Sequence, residues 1–449
     1  MSIFRIELRR TIAPWLGLAV LAISLGFLFL LTGPWWHIPA MWTTQTTTSA
    51  LWVRYLLQFL WPLVIGAGAI QGMRDHRSGM SELLESTPRP AAHRAAKLAL
   101  AVGAMVLLGY LAVFAVGFLE VPTHNGFVSA AFVPHVLVAL LALLAAAWLG
   151  LGLGRLLPHP LTAPAVAVVA FALLVVLWSA LDSTVGFHVA VPTWIAMLGP
   201  AVAQPHGVFA TTAGSLDVGQ AIWFTGLALT GFALLAAKFV RSKLIGLLPA
   251  VLAAAVAVPI FPADTLVTDN VAAAKVCDGP VCVTKLHEAS LPSLRTAGRE
   301  ALGLLSKLPG APTKVEEVTD VVALSGQPHD PAAAYINFQT APSLLNASSA
   351  DLRAALLAGA GAPECLHWNG DIGDLTARTV SAAWFTGELK ALPRGLGVGI
   401  KPGGTIEQAW QAFRQLPEPE QVRRMAALRQ EYLNCAGDPM QTLLPGFKP

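Results

Sequence analysis

Charge is scarce in this chain. Asp, Glu, Lys and Arg make up 12% of its 449 residues, against 55% hydrophobic residues. None of the four falls inside seven long apolar stretches, at 14–31, 55–70, 98–119, 132–154, 161–181, 221–237 and 244–261. That absence excludes an ordinary water-soluble domain over this region. Most of the stretches approach or exceed the roughly 18 to 20 residues that cross about 30 Å of hydrocarbon. Lipid offers backbone N–H and C=O groups no partners, so each stretch is expected to be helical. Catalytic motifs are missing too. No Walker A pattern, Gly-rich dinucleotide loop or HExxH helix occurs, which leaves the chain without an ATPase motif of its own. His287-Glu288 has no second His four residues on and reads as surface; His329-Asp330 and His367-Trp368 are isolated pairs; Ser325 and Ser381 lack a G-x-S-x-G frame. Nothing points to an enzyme, a cofactor, a metal site or a nucleic-acid partner.

The few charges present are ordered. Arg5, Arg9 and Arg10 precede the first stretch, the gap 33–49 holds no charge, and the next gap holds Arg74, Arg77, Arg89, Arg94 and Lys97. Glu120 alone follows the third stretch and Arg155 follows the fourth. Asp182 and Asp217 are the only charges in the long gap before the sixth, and Lys238, Arg241 and Lys243 separate the sixth from the seventh. Basic residues near span ends stay cytoplasmic. The alternation therefore predicts a multi-pass protein of the cell (plasma) membrane, with its N-terminus cytoplasmic and, after an odd number of crossings, its C-terminal part outside.

Arg54, at the outer end of the second stretch, breaks the pattern, and its long stem is expected to snorkel to the headgroups. Residues 187–203 are moderately apolar but contain Pro192, Gly199 and Pro200, which predicts a re-entrant or interfacial segment rather than another crossing. Trp35, Trp36 and Trp42 suit the outer interface, and His135 and His159 lie near span ends, also as interfacial residues. The first apolar run is long for a signal peptide and no small-x-small site follows it, so it reads as an uncleaved span. Small residues in the fourth stretch (Ala145, Ala146, Ala147, Gly150, Gly152, Gly154) permit close helix packing, with Gly150 to Gly154 also suited to a dimer seam. Ion-coupled carriers usually place ionisable groups at mid-membrane. With none inside these stretches, any solute movement is expected to draw its energy from elsewhere.

Composition changes at residue 262. Up to Pro262 there are 13 Lys and Arg against 7 Asp and Glu; from Ala263 onward there are 16 against 19. The remaining 187 residues suffice for one independent domain. The predicted architecture is a polytopic α-helical membrane domain of about seven transmembrane helices at 1–262, followed by a soluble α+β extracytoplasmic domain at 263–449. No cysteine occurs before the second part, which holds all four: Cys277, Cys282, Cys365 and Cys435. An even count outside the cell reads as two disulfides. Three pairings are open, of which Cys277 with Cys282 across the CDGPVC turn, plus Cys365 with Cys435, is the simplest. Paired C-x-x-C elements of a zinc site are absent. Helices are expected at 291–308, 350–358 (capped by Ser348 or Ser349), 405–416 and 418–433, and short strands at 281–284, 318–323 and 334–338.

One predicted cytoplasmic segment stands apart. Between the second and third stretches, SGMSELLESTPRP reads as a short amphipathic helix: Met80, Leu83 and Leu84 form an apolar edge, Glu82 and Glu85 face away, Ser78 can cap it, and Pro88 with Pro90 ends it. An E-L-L-x-S-T-P stretch in this position, following the second span and leading into the third, resembles the coupling-helix region of ABC type-2 transporter permeases. The resemblance covers about residues 1–243. It implies a permease subunit whose cytoplasmic helices dock on a separate ABC ATPase, paired with a second permease subunit as a homo- or heterodimer in the lipid bilayer. Met80, Glu82, Leu83, Leu84, Glu85 and Thr87 would then lie in the ATPase-coupling helix, and residues 1–11 would form the connecting helix. Members usually have six spans; the seventh stretch and the outer domain depart from that pattern. The alternative is a non-transport membrane protein that displays an extracytoplasmic binding domain.

Overall fold

The computed structural model describes residues 11–31, 41–79, 90–181, 189–201, 207–237, 239–319, 329–365, 371–393 and 403–447. The chain divides into two compact units, Met1–Val267 and Thr268–Pro449.

In the first unit, six helical segments are long and apolar enough to cross a membrane: Ala13–Leu31, Ala91–Thr123, Ala130–Leu156, Thr162–Leu181, Gly214–Ala236 and Arg241–Ile260. A seventh results if Thr46–Tyr55 and Leu57–Gly72, bent by 48° from each other, count as one span. We label the helices α1 (Ala13–Gly26), α2 (Thr46–Tyr55), α3 (Leu57–Gly72), α4 (Ala91–Thr123), α5 (Val133–Leu156), α6 (Thr162–Leu181), α7 (Gly214–Ala236) and α8 (Leu248–Ala257). The unit wears its apolar side chains outward: Trp15 is 74% exposed and Val168 67%. Among the described residues, Val271 and Ile372 are the only large hydrophobic side chains of the second unit exposed in this way. An apolar exterior of that extent would be untenable in water, and it fits a polytopic helical membrane protein. Within 187–203 the only described helix is one turn, Thr193–Ala196.

Glycine sets the closest contacts. A Cβ at Gly150 would stand 2.2 Å from the Ile65 carbonyl oxygen, and one at Gly154 2.1 Å from that of Ala69. Helices α3 and α5 therefore meet backbone to backbone, as small residues allow. Gly152 faces α7 instead, 2.6 Å from the Gly231 oxygen by the same measure. These three glycines are consumed by packing within one chain, so the expected dimer seam does not lie there.

The second unit carries a four-stranded sheet in the order β1 (Lys275–Asp278), β2 (Val281–Thr284), β3 (Lys314–Glu317) and β4 (Ala333–Ile336). Strands β1 and β2 form an antiparallel hairpin that turns at Gly279 (φ +62°), while β2–β3 and β3–β4 run parallel. Helix α9 (Leu291–Leu305) makes the crossover from β2 to β3. It buries Leu294, Ala297, Ala301 and Leu305 against the sheet, and Gly298 admits Val281 to its backbone. Helices α10 (Ser349–Leu357, with Ser348 Oγ accepting from Asp351 N), α11 (Ile372–Thr386), α12 (Thr405–Arg414) and α13 (Glu418–Asn434) close the core around Val315, Ile336, Phe413 and Tyr432.

Two local expectations shift. The strand expected at 318–323 lies instead at Lys314–Glu317, and residues 320–328 fall outside the described residues. The K-V-E-E stretch looks polar, but Glu316 takes Lys275 and Lys314 as partners, and Glu317 accepts from the Thr284 backbone and hydroxyl. Helix α11 has no counterpart among the expected elements, because its interior positions Asp374, Thr376, Arg378, Thr379 and Ser381 are polar yet buried.

Candidate functional site

The Arg54 side chain does not reach the headgroups: it is 0% exposed. Helix α2 opens on four polar residues, Thr46 to Ser49, and every residue from Thr46 to Arg54 is buried. At Leu56 the N–H reaches the Trp52 carbonyl at a stretched 3.4 Å, and the chain bends there into α3. The bend leaves Arg54 in the last turn of α2, where a cation complements the helix dipole. Arg54 Nη1 donates to Asp217 Oδ1 at 2.6 Å, and Nη2 donates to Gln220 Oε1. Asp217 lies in the first turn of α7, where an anion is favoured for the same reason.

Other elements complete the cluster. His135, in the first turn of α5 and 2% exposed, places Nδ1 3.2 Å from Asp217 Oδ2 and Nε2 3.0 Å from Thr211 Oγ1. Thr212 donates its hydroxyl to Asp217 Oδ2 at 2.9 Å. Gln220 Nε2 donates to the carbonyls of Met197 (2.7 Å) and Gly199 (2.9 Å), which ties the short helix Thr193–Ala196 to the same place. Gln45 and Thr48 donate to the Val208 carbonyl. Nearby hydrogen-bonding capacity is left over: Thr47 Oγ1, Arg54 Nε, Gln58 Oε1 and Tyr110 Oη are buried without a partner among the described residues. One cation, one anion and one imidazole thus sit together out of solvent, joining α2, α5, α7 and the short strand Ala210–Thr212 before α7. Such a group can hold the helices in one arrangement, or move a proton between Asp217 and His135.

This geometry corrects three expectations. Arg54 is buried in an ion pair instead of snorkelling. His135 belongs to that cluster instead of an interface. Trp42 is 1% exposed, set edge-on to Phe29 at 5.7 Å, and is no surface anchor. Asp217, Gln220, Thr211 and Thr212 escape sequence reasoning as site residues. One signal is present: Arg54 and Asp217 flank predicted outer span ends and carry opposite charge on the same side. Residues 1–10 and 35–36 lie outside the described residues, as do Met80, Glu82, Leu83, Leu84, Glu85 and Thr87.

The cysteines form two disulfides, Cys277–Cys282 across the β1–β2 turn and Cys365–Cys435 between the segment after α10 and the end of α13. His287 Nδ1 lies 2.5 Å from Glu317 Oε1, partly buried rather than on the surface, and Ser381 Oγ donates to the Leu357 carbonyl. His367 and Ser325 lie outside the described residues. Among the described residues no group of three His, Cys, Asp or Glu side chains is placed to hold a metal ion. Compared with known protein families, curated proteins and solved structures, the chain matches none.

Proposed function

We propose that this chain is the membrane permease subunit of an ATP-driven transporter of the ABC type-2 kind, an exporter working as a dimer with a separate ATPase. The observation that supports it is the course of the second span. Helix α3 runs from the bend at Leu56, beside the Arg54–Asp217 pair, to Gly72, from which the chain leads on in sequence to residues 80–87; held against α5 by its glycine contacts, it would act as a lever. Docking of an ATPase on Met80, Leu83 and Leu84 would load one end of that lever. The charged cluster at the other end ties it to α5 and α7, the helices that must move together in a two-state bundle. On this reading the N-terminus is cytoplasmic and the disulfide-bonded domain faces outward. Pull-down of an ATPase encoded beside this chain tests the docking. Leu83→Asp and Glu82→Arg should each abolish co-purification and ATP-dependent transport, and survival of both activities would refute the assignment.

A second reading has one observation in its favour. Buried ionisable groups within a helix bundle are the usual equipment of carriers driven by an ion gradient, and Arg54, Asp217 and His135 are such a group. Transport by proteoliposomes that needs a proton gradient and no ATPase would select it. The display of a binding domain without transport is the remaining alternative, selected if neither ATP nor a gradient moves any solute.

A further inference from the structure

Two irregular stretches of helix flank one cleft in the first unit. Helix α1 ends at Gly26, and the chain continues as a wider π-helical turn over Phe27–Leu31. Widened turns of this kind recur at functional sites. Opposite it, the second span bends by 48° at Leu56. The cleft between them holds about 340 Å³, within the roughly 300–1,000 Å³ of pockets that take small ligands. Leu56 and Leu60 are buried at its floor, while Ile23, Leu31 and Phe59 are exposed at its mouth. Phe27 also lines it, with its ring centre 6.5 Å from that of Phe59.

One residue of the lining is unlike the rest. Ser24 is 0% exposed, and its Oγ is enclosed without a partner among the described residues. A hydroxyl within a helix commonly donates back to a carbonyl of the preceding turn. In this unit Ser179 does so to Val176 and Thr225 to Ala221; Ser24 does not. An enclosed polar group left unmet is costly, and hydrocarbon brings no water to meet it. The other lining residues are all apolar, so a charged ligand would be buried unpaired. A lipid tail would cover the walls and leave Ser24 as it is. An extended peptide would carry backbone groups that find no partner there. A helix of a second copy would favour small residues at the contact, whereas Ile23, Leu31 and Phe59 are large.

We propose that this cleft binds a small lipophilic alcohol or phenol taken from the bilayer. Its hydroxyl would meet Ser24 Oγ, and its apolar body would lie between Phe27 and Phe59 above Leu56 and Leu60. Flanking aromatic rings suit a ligand that is itself a ring, by edge-to-face or offset contact. One hydroxyl on a compact apolar body answers both the walls and the unmet group. The site stands apart from the transport reading, because binding is read without ATP or solute movement.

The test is photolabelling of the full chain in phosphatidylcholine nanodiscs with two probes, an aryl diazirine carrying a hydroxymethyl group and the same diazirine without it. Mass mapping reads labelling at residues 23–31 and 56–60. Labelling at Val251, Leu252 and Val256, exposed on α8, corrects for partition into the bilayer. The alcohol probe should label the cleft saturably, and excess para-pentylphenol should compete it away where pentylbenzene does not. S24A removes only an unmet hydroxyl and should fold. It should raise the half-saturating concentration of the alcohol probe by about tenfold, the worth of one hydrogen bond, and leave the hydroxyl-free probe unchanged. I23W, with a larger ring at the mouth, should reduce labelling by both probes. Labelling that never saturates, or that is no stronger at the cleft than on α8, would overturn the proposal. Unchanged alcohol labelling in S24A would overturn it too. So would equal competition by pentylbenzene, which would make the cleft a groove for lipid tails only.

Discussion

Arg54 Nη1 and Asp217 Oδ1 lie 2.6 Å apart, although the two residues are 163 positions apart in the chain. Each charge sits at the helix end whose dipole favours it, and each is almost fully enclosed, so neither can fall back on water if its partner is lost. Arg54→Met or Asp217→Asn alone should therefore destabilise the membrane unit by ~3–5 kcal/mol. The double change Arg54→Met with Asp217→Asn should cost clearly less than the sum of the singles, as for residues in direct contact. Thermal unfolding in detergent measures all three, and additive losses would show that the pair does not hold the helices.

The disulfides close loops of very different length, with sequence separations of 5 and 70. By loop entropy, removing Cys365–Cys435 through paired Ser substitutions should cost about 4 kcal/mol, and removing Cys277–Cys282 about 2 kcal/mol. Denaturant midpoints of the second unit, followed within the full chain, check the order. Mass mapping without reductant should recover both bridges from native membranes; four free thiols there would contradict an extracytoplasmic domain.

Glycine separates packing from propensity. Gly150→Ala puts a Cβ 2.2 Å from a backbone oxygen that cannot step aside, and overpacking of this kind costs ~1–3 kcal/mol. Gly303, in α9, has nothing within 4 Å of the same position, so Gly303→Ala should stabilise by up to ~1 kcal/mol through helix propensity. Melting temperatures of the two variants should move in opposite directions.

Two carboxylates give the second unit opposing responses to pH. Burial raises the Asp374 carboxyl above its ordinary 3.8, against the opposing pull of Arg378. Between those values the folded state binds more protons than the unfolded state, so stability falls as pH rises through the window. Burial also acts against Glu316, but hydrogen bonds from Lys275 and Lys314 outweigh it and hold the carboxyl below 4.5. Its stabilisation is full above 4.5 and is lost as pH falls through the lowered value. Asp374→Asn should remove the decline on the less acidic side, and Glu316→Gln should flatten the loss at the acid end. Denaturation midpoints against pH report both; a steeper decline in Asp374→Asn would contradict a raised Asp374 carboxyl.

What can be read in the residues differs between the two units. Apolar runs without charge announce the membrane helices, since period and length suffice where lipid replaces water, and helices α9, α10, α12 and α13 show their faces in the same way. Arg54 is visible as an anomaly, but its partner is not, because a contact across 163 residues leaves no local pattern. The ends of α2 and α7 reach beyond the apolar runs for a related reason. Their polar turns (Thr46 to Arg54, Asp217, Gln220) are satisfied by one another and so continue the helices where composition indicates loops. Helix α11 and strand β3 are hidden by buried polar side chains whose partners come from other elements.

The central claim, the proposal that force from a separate ATPase enters through residues 80–87, is tested most directly by reconstituting the chain in liposomes with the ABC ATPase proposed as its partner and measuring ATP hydrolysis. The full chain should alter the hydrolysis rate of the ATPase, and Leu83→Asp should return it to the rate of the free enzyme. An unaltered rate with the full chain present, or a rate that Leu83→Asp leaves untouched, would contradict the claim.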